Sequence, residues 1–347
     1  TRLRGAATGV RAFSPARGSR SQSAAAAALG LEILFEDFDR AAAAFQSRLL
    51  AELAPLVAQS GATRLAVAPH RELAAIPFSS LLDACPHLHS LTVAPSLHAL
   101  SLCQRRRRPL LGEVMLVGNP WDDLKTETEL GIIRDWCQGR GVVEPKTLDE
   151  LKRKAPGVML MHAATHGAFF PQKPYYSGLI ISRESDHRGP LVQYIARDAS
   201  PSEEPTTDGA LLLTVAQIMA QFSLGSCRLA VLSACESGVA RAHAGGEMMG
   251  LPASLLVAGA KSVIASLWPV QDEATSLLMR KFYELWPGEE GPESSTAAAL
   301  ARARRWLKEL SRDEAEALAG PRAQLPGGER PFSHPFFTDA FQCFGAW

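Results

Sequence analysis

The sequence predicts an α/β fold in which a mostly parallel sheet is covered by helices on both faces. Three runs have the composition of β-strands, and they are 158–163, 229–232 and 261–268. The run 229–232 is almost wholly apolar, as a central parallel strand should be. Helical patterns lie between and after the three runs, at 246–258, 273–286 and 296–310. Strands that alternate with helices are typical of parallel sheets, because a crossover between parallel strands needs a long connection.

The chain has 347 residues, of which 46% are apolar and 21% charged, and its formal net charge is zero. This length suits one large domain or two small ones. A balanced charge gives no indication of direct binding to nucleic acid or to an anionic membrane. The longest apolar runs are too short for a membrane span, and no signal peptide is visible. We therefore expect a cytoplasmic protein with no membrane partner and only indirect contact with nucleic acid.

The six cysteines form no CxxC pair and are irregularly spaced, at Cys85, Cys103, Cys137, Cys227, Cys235 and Cys343. In a chain of this length the spacing argues against a disulfide framework or a zinc knuckle. Reduced thiols are expected, and one of them is a candidate nucleophile.

The first 150 residues are less regular. Residues 1–28 contain five arginines and no acid, which predicts a flexible basic arm, with nucleic-acid contact or targeting as alternatives. Helical spacing follows over 31–57. Strand-like runs come next, at 64–68, 91–94 and 113–117, and a helix-like segment opens at 76–78. Four consecutive arginines, Arg105 to Arg108, predict an exposed loop, a processing site or an anion patch.

Two of the predicted strands lead into residues with nucleophile and base chemistry. The run 158–163 is followed by His166, and the run 229–232 is followed by Cys235. The functional crevice of an open α/β sheet lies outside the carboxyl ends of its strands. If the two strands are neighbours, His166 and Cys235 meet at that edge, although either residue alone could be structural.

An imidazole beside a thiol suits nucleophilic catalysis. The imidazole takes the thiol proton and later returns it to the leaving amine. Gly167 has no side chain, so its N–H could approach a substrate carbonyl closely. Together with the N–H of Cys235 it would form an oxyanion hole.

Other chemistries find less support in the sequence. His162 and His166 have the spacing HxxxH, but this segment is predicted as a strand, which would separate the two residues by about 13 Å. We therefore expect no metal site there. No Walker A, GxGxxG or GxSxG motif is present, and no cofactor is expected.

Longer segments resemble a known family. Segment 159–167, MLMHAATHG, resembles the HG motif of the CHAT family, caspase-like cysteine peptidases of clan CD often associated with TPR repeats. Segment 231–238, VLSACESG, resembles its Cys motif. Further similarity is found at 246–247, 250–251, 258–270, 272–275 and 334–341. The resemblance covers roughly residues 45–347.

The resemblance implies a caspase-like three-layer α/β sandwich with a mostly parallel central sheet flanked by helices. It assigns the base to His166 rather than His162, and the nucleophile to Cys235. It divides the chain into an N-terminal pseudo-caspase-like half, 29–150, and a catalytic half, 151–347. It also implies a regulatory partner or a TPR or sensor domain outside this chain.

The resemblance also suggests a substrate site. Ser266, Leu267 and Trp268 would pair with the peptide as an added strand, although Trp268 could equally pack in the core. Asp272 would be a carboxylate that selects a basic P1 residue, or a cap for the helix predicted from Glu273. The residue two before Cys235 is Ser233, where relatives with a basic preference often have an acid.

We therefore predict a cysteine endopeptidase that cleaves a protein substrate under the control of a partner or signal, as the family implies for bacterial defence. One alternative is a catalytically silent interaction module that retains the fold. Another is a thiol-dependent transferase or hydrolase that acts on non-peptide acyl groups.

Overall fold

A computed structural model describes residues 38–39, 50–70, 73–74, 76–109, 111–119, 126–137, 139–168, 174–183, 210–233, 240–242, 248–268, 270–286, 295–320 and 323–347. The strands in chain order are β1 (Arg64–Val67), β2 (Ser90–Val93), β3 (Glu113–Gly118), β4 (Val142–Val143), β5 (Val158–Ala164), β6 (Gly167–Ala168), β7 (Gly178–Arg183), β8 (Ala210–Thr214), β9 (Leu229–Ser233), β10 (Ala240–Ala242), β11 (Met248–Gly250), β12 (Ser262–Ser266) and β13 (Phe341–Gly345). The helices are α1 (Ala51–Ser60), α2 (Leu81–Ala84), α3 (Leu97–Arg105), α4 (Thr126–Trp136), α5 (Leu148–Lys154), α6 (Val215–Gln221), α7 (Leu251–Ala258), α8 (Asp272–Leu285), α9 (Thr296–Glu309), α10 (Arg312–Ala319) and α11 (Pro335–Thr338).

Eight strands form the central sheet, in the order β1-β2-β13-β12-β9-β5-β3-β4. Neighbours are parallel except β12 and β13, which are antiparallel. The sheet thus consists of two parallel blocks of opposite direction. β3 and β4, which belong to the predicted N-terminal half, lie in one block with strands of the predicted catalytic half. The division at 150/151 stays a prediction.

Helices cover both faces of this sheet, because successive side chains of each central strand point to opposite sides. One face packs against α5, α6 and α7, and the other packs against α4, α8 and α9. All seven residues of β5 are buried. Apart from His162 the strand is apolar, because a parallel sheet is covered on both sides. The predicted three-layer architecture is confirmed.

The predicted helix 246–258 begins later than expected. Met248–Gly250 forms β11, which pairs with β10, so α7 begins only at Leu251. Pro252 lies in the first turn of α7, where its missing N–H has no helical partner to lose. The predicted strand 261–268 is likewise shorter, since β12 ends at Ser266.

Two of the four consecutive arginines stabilise the end of a helix. Arg106 Nη1 donates to the carbonyl oxygens of Leu256 and Ala260, at 2.7 and 2.6 Å. Arg108 Nη2 donates to the Gly259 carbonyl oxygen at 2.6 Å. These carbonyls lie at the C-terminus of α7, where cations are favoured by the helix dipole. The expectation of a simple exposed loop is therefore corrected for Arg106 and Arg108, and cleavage at the run stays a prediction.

No helix within the described ranges combines the length and the apolar character that crossing a membrane requires.

Candidate active site

The carboxyl ends of β5 and β9 lie side by side. The two strands are parallel neighbours, and their register places Ala164 opposite Ser233. His166 follows Ala164 by two residues, and Cys235 follows Ser233 by two residues. Cys235 is outside the described residues. β5 and β9 are thus neighbours, which is the condition for His166 and Cys235 to meet, and the contact between these two residues stays a prediction.

The backbone around His166 is held against β7. The carbonyl oxygen of His166 accepts a hydrogen bond of 3.0 Å from the Ile180 N–H. Thr165 Oγ1 donates to the Ile180 carbonyl oxygen at 2.7 Å. The His166 side chain is half-buried, so it lies at the surface of the sheet edge. These two bonds fix the point at which the chain leaves β5.

Gly167 begins β6, a short strand that pairs antiparallel with β7. Its register partner is Leu179, and Gly167 itself is buried. β7 continues the pairing with β8, which completes a second, three-stranded sheet beside the site. The role of Gly167 as an oxyanion donor stays a prediction.

His162 is fully buried and takes part in a hydrogen-bonded chain. Its Nδ1 lies 2.9 Å from the Tyr283 hydroxyl, and its Nε2 lies 3.1 Å from Glu129 Oε1. His162 is thus engaged by protein groups on both ring nitrogens. Among the residues that the structure describes, no cluster of three or more His, Cys, Asp or Glu side chains is arranged to hold a metal ion.

Glu129 extends this chain to the neighbouring strand. Its second carboxylate oxygen, Oε2, accepts a hydrogen bond of 3.0 Å from Ser233 Oγ. Burial and the nearby charge of Glu129 raise the pKa of Tyr283 well above its ordinary value. Tyr283 therefore keeps its proton and can donate to His162 Nδ1, which leaves the Nε2–H of His162 to donate to Glu129.

Glu129 and Tyr283 were not among the candidate residues from the sequence. Each nevertheless carries a signal in its helix. Glu129 is four positions before Ile133, so the two lie on the same apolar face of α4. Tyr283 is three positions before Trp286, which is also buried. A carboxylate on the buried face of an amphipathic helix indicates a polar partner inside the protein.

The candidate substrate residues Ser266, at the end of β12, and Leu267 and Trp268, directly after it, have internal contacts. Ser266 pairs with Phe341 of β13, and the Leu267 N–H donates to the Ala340 carbonyl oxygen at 2.8 Å. Trp268 Nε1 donates to the Phe336 carbonyl oxygen at 2.9 Å. All three side chains are buried, with Trp268 only 3% exposed. The core-packing alternative for Trp268 agrees with these contacts, and substrate pairing stays a prediction.

The ring of Trp268 is covered by a residue from the N-terminal region. Phe38 meets it edge-on, with ring centroids 5.3 Å apart. Phe38 also lies 5.9 Å from Phe336 and 5.7 Å from the His334 ring. Phe38 is 1% exposed. An early segment of the chain therefore packs beside the candidate substrate strand.

Asp272 is the first residue of α8, one position earlier than expected. Gln271 occupies the N-cap position and makes no side-chain cap hydrogen bond. The expectation that Asp272 caps a helix starting at Glu273 is corrected to a first-turn position, where a carboxylate is favoured by the helix dipole. Asp272 is half-buried. Selection of a basic P1 residue by Asp272 stays a prediction.

Five of the six cysteines are buried, free thiols, namely Cys85, Cys103, Cys137, Cys227 and Cys343. Burial raises the pKa of each of them, to about 11 for Cys137 and to about 12 for Cys227 and Cys343. Because the thiolate is the nucleophile, a raised pKa makes these thiols inert near neutral pH.

Solved structures that are similar to this one include separase in the Saccharomyces cerevisiae separase–securin complex, at 15% identity and a TM-score of 0.46. The match covers 78% of this chain but only 15% of the separase chain. Another is the Arg-specific cysteine proteinase gingipain R, at 9% identity and a TM-score of 0.42, covering 74% of this chain and 55% of that one. The complex of Porphyromonas gingivalis RgpB pro- and mature domains gives the same TM-score at 10% identity.

A search of curated proteins finds no match to this chain. The model of the CHAT domain family, in contrast, matches residues 39–346, which is well over half of the sequence. This chain belongs to the CHAT domain family.

Proposed function

We propose that this CHAT domain is a cysteine endopeptidase in which Cys235 is the nucleophile and His166 the general base. The observation that carries the proposal is the parallel register of β5 and β9, with Ala164 opposite Ser233. His166 and Cys235 each follow this pair by two residues in the sequence.

Neighbouring strands are about 4.8 Å apart. Two residues that follow a registered pair by the same number of positions leave the sheet at the same edge. Their side chains are then expected to be within reach of one another. The Ile180 N–H donates to the His166 carbonyl oxygen, and the Thr165 hydroxyl donates to the Ile180 carbonyl oxygen. These two hydrogen bonds support a fixed backbone position for His166, where the chain leaves β5. Membership of the CHAT family supports the same pairing.

The properties of the other five cysteines also favour Cys235 as the nucleophile. Each of the other five cysteines is buried, with a pKa raised by burial. A nucleophile must be both accessible and ionisable near neutral pH. Because the other five cysteines lack these properties, Cys235 is the remaining candidate for the nucleophile.

In the proposed reaction His166 accepts the Cys235 proton, and the thiolate attacks the carbonyl carbon of a peptide bond. The tetrahedral oxyanion is held by the N–H groups of Gly167 and Cys235. The C–N bond breaks as His166 returns the proton to the leaving amine. Water, deprotonated by His166, then hydrolyses the thioester and restores the thiol. The cycle uses no cofactor.

The proposal includes a protein substrate and control by a regulatory partner, or by a TPR or sensor domain outside this chain. Ser266, Leu267, Trp268 and Asp272 are the proposed substrate contacts. Asp272 is the proposed determinant of P1 preference, because a half-buried carboxylate pairs with a basic side chain.

The test is a cleavage profile of a proteome-derived peptide library, read by mass spectrometry. We expect wild type and the control Cys85→Ala to cut the same bonds, and Cys235→Ala and His166→Ala to cut none. Cleavage that persists in Cys235→Ala refutes the mechanism. If folded wild type cuts nothing, even with cell extract added to supply a partner, the proposed function is refuted and the alternative of an interaction module is favoured.

A further inference from the structure

A chain of four polar side chains, three of them buried and the fourth, Ser233, half-buried, joins the two strands that lead to His166 and Cys235. Tyr283 of α8 contacts His162 of β5, His162 contacts Glu129 of α4, and Glu129 contacts Ser233 of β9. The three contacts are 2.9, 3.1 and 3.0 Å long. No step of the proposed reaction uses these groups.

Glu129 is the bridging member. Its two carboxylate oxygens are divided between the strands, since Oε1 meets the His162 imidazole and Oε2 accepts from the Ser233 hydroxyl. Glu129 is 5% exposed and His162 is 0% exposed. A buried carboxylate is tolerated only when donors satisfy it. The rigid, planar carboxylate of Glu129 therefore couples the position of the His162 ring to that of the Ser233 hydroxyl.

The location of this bridge along the strands matters for the site. Ser233 is the last residue of β9 and lies two positions before Cys235. His162 lies in β5, four positions before His166. His162 and Ser233 face the side of the sheet covered by α4 and α8, because β5 and β9 are in register and Ser233 lies opposite Ala164.

We propose that Glu129 is a positioning residue that sets the relative placement of the carboxyl ends of β5 and β9, and through them the approach of Cys235 to His166. The inference rests on the proposed function and deepens it. Ser233 transmits the effect, because its hydroxyl donates from the last position of β9 to the Glu129 carboxylate of α4.

A double-mutant cycle isolates the Glu129–Ser233 bond. Ser233→Ala removes the donor, and Glu129→Gln removes the negative charge and one acceptor. We expect each single variant to lower kcat about tenfold with KM within about twofold, and the double variant to lose no more than either single variant. Losses that multiply to about a hundredfold, or a kcat that stays within twofold of wild type in Ser233→Ala, overturn the inference.

Two further variants separate positioning from general damage. Ser233→Thr keeps the hydroxyl and is expected to restore kcat to within about threefold of wild type. Ser262→Ala removes a buried serine bond of 2.9 Å to Ala346 at the opposite end of neighbouring β12, and is expected to leave kcat unchanged. If Glu129→Gln does not fold, the comparison of Ser233→Ala with Ser233→Thr and Ser262→Ala decides the inference alone. Equal losses in all three would refute it.

Thiol alkylation distinguishes a failure of the inference from a failure of the proposed function. Iodoacetamide reacts with the thiolate, so the rate at Cys235 reports its approach to His166 even without a substrate. We expect Ser233→Ala to slow alkylation of Cys235 about tenfold near pH 7. An unchanged rate overturns the positioning role. Fast alkylation in a wild type that cleaves no peptide refutes the peptidase proposal alone.

Discussion

Arg304 of α9 and Asp83 of α2 form a bidentate ion pair although 221 positions separate them in the sequence. Arg304 Nη1 and Nη2 lie 2.9 and 2.7 Å from the two carboxylate oxygens of Asp83. Arg304 Nε also donates to Asp339 Oδ1 at 2.7 Å. Both Arg304 and Asp339 are buried, so this guanidinium neutralises a carboxylate inside the protein.

Arg304→Ala is therefore expected to destabilise the fold strongly. The change leaves Asp339 as a buried charge without its main partner, which typically costs about 3–5 kcal/mol of unfolding free energy. Urea unfolding followed by circular dichroism measures the loss. Arg305→Ala, one position along the same helix and exposed, is the matched control and should change stability by less than about 0.5 kcal/mol. Equal effects of the two changes would contradict the network.

The acid stability of the protein should depend on Asp83. Burial opposes ionisation of this carboxyl, but the hydrogen bonds and charges of Arg304 and Lys308 outweigh burial and lower its pKa from 3.8 to about 2. A pKa that is lower in the folded state stabilises the fold above the unfolded value, and this stability is lost as pH falls from about 4 to about 2.

Melting temperatures of wild type and Asp83→Asn between pH 2 and 6 test this dependence. We expect wild type to be more stable at pH 6 and the difference to shrink as pH falls below 4. Asp135→Asn, an exposed change on α4, should track wild type at every pH. A constant difference between wild type and Asp83→Asn would show that the Asp83 charge does not contribute.

Arg106 and Arg107 should differ sharply although they are adjacent. Arg106 donates to two carbonyls at the end of α7, and Arg107 is exposed. Hydrogen bonds that involve a charged group contribute about 1.5–3 kcal/mol each when buried, and Arg106 is half-buried. We expect Arg106→Ala to lower the unfolding free energy by about 1–2 kcal/mol, and Arg107→Ala by less than about 0.5 kcal/mol. Similar losses would contradict the role of Arg106.

Reactivity of the thiols tests the proposed nucleophile directly. Near pH 7, iodoacetamide should label Cys235 at least tenfold faster than any buried cysteine, because burial raises the pKa of the buried thiols. Peptide mapping by mass spectrometry measures each rate. In urea the six rates should converge, which controls for local sequence. A rate at Cys227 or Cys343 that equals the rate at Cys235 would contradict the assignment.

The central strands could be predicted from the sequence because their environment is uniform. β5 and β9 are covered on both faces, so the mainly apolar run 158–163 and the apolar run 229–232 mark them directly. β7 and β8 were missed for the opposite reason. The two strands pair with each other, but residues 184–209 separate them in the sequence, so no short turn motif marks them as a hairpin. β6 has only two residues, too few for any periodicity.

The candidate site likewise contains residues that the sequence predicts and residues whose role it does not predict. His166 could be predicted because it directly follows a recognisable strand. The sequence marks Glu129 as a carboxylate on the apolar face of α4 but does not give its partners, since these are His162 and Ser233, which are 33 and 104 positions away. The start of α7 was also misplaced, because 248–250 pairs with 240–242 rather than following its helical pattern. Pairing between distant segments is what local patterns do not encode.

Phe38 should contribute to the stability of the domain although it lies at the start of the described chain. Its ring packs edge-on against Trp268 and Phe336. Truncation of a buried phenylalanine typically costs about 3–5 kcal/mol. We expect Phe38→Ala to lower the unfolding free energy by about 3 kcal/mol and to shift tryptophan emission to longer wavelength, because Trp268 gains contact with water. Deletion of residues 1–28, the predicted basic arm, is the control and should change neither quantity. If the deletion destabilises the protein as much as Phe38→Ala, the flexible-arm prediction is wrong; if Phe38→Ala has no effect, Phe38 does not hold the segment beside Trp268.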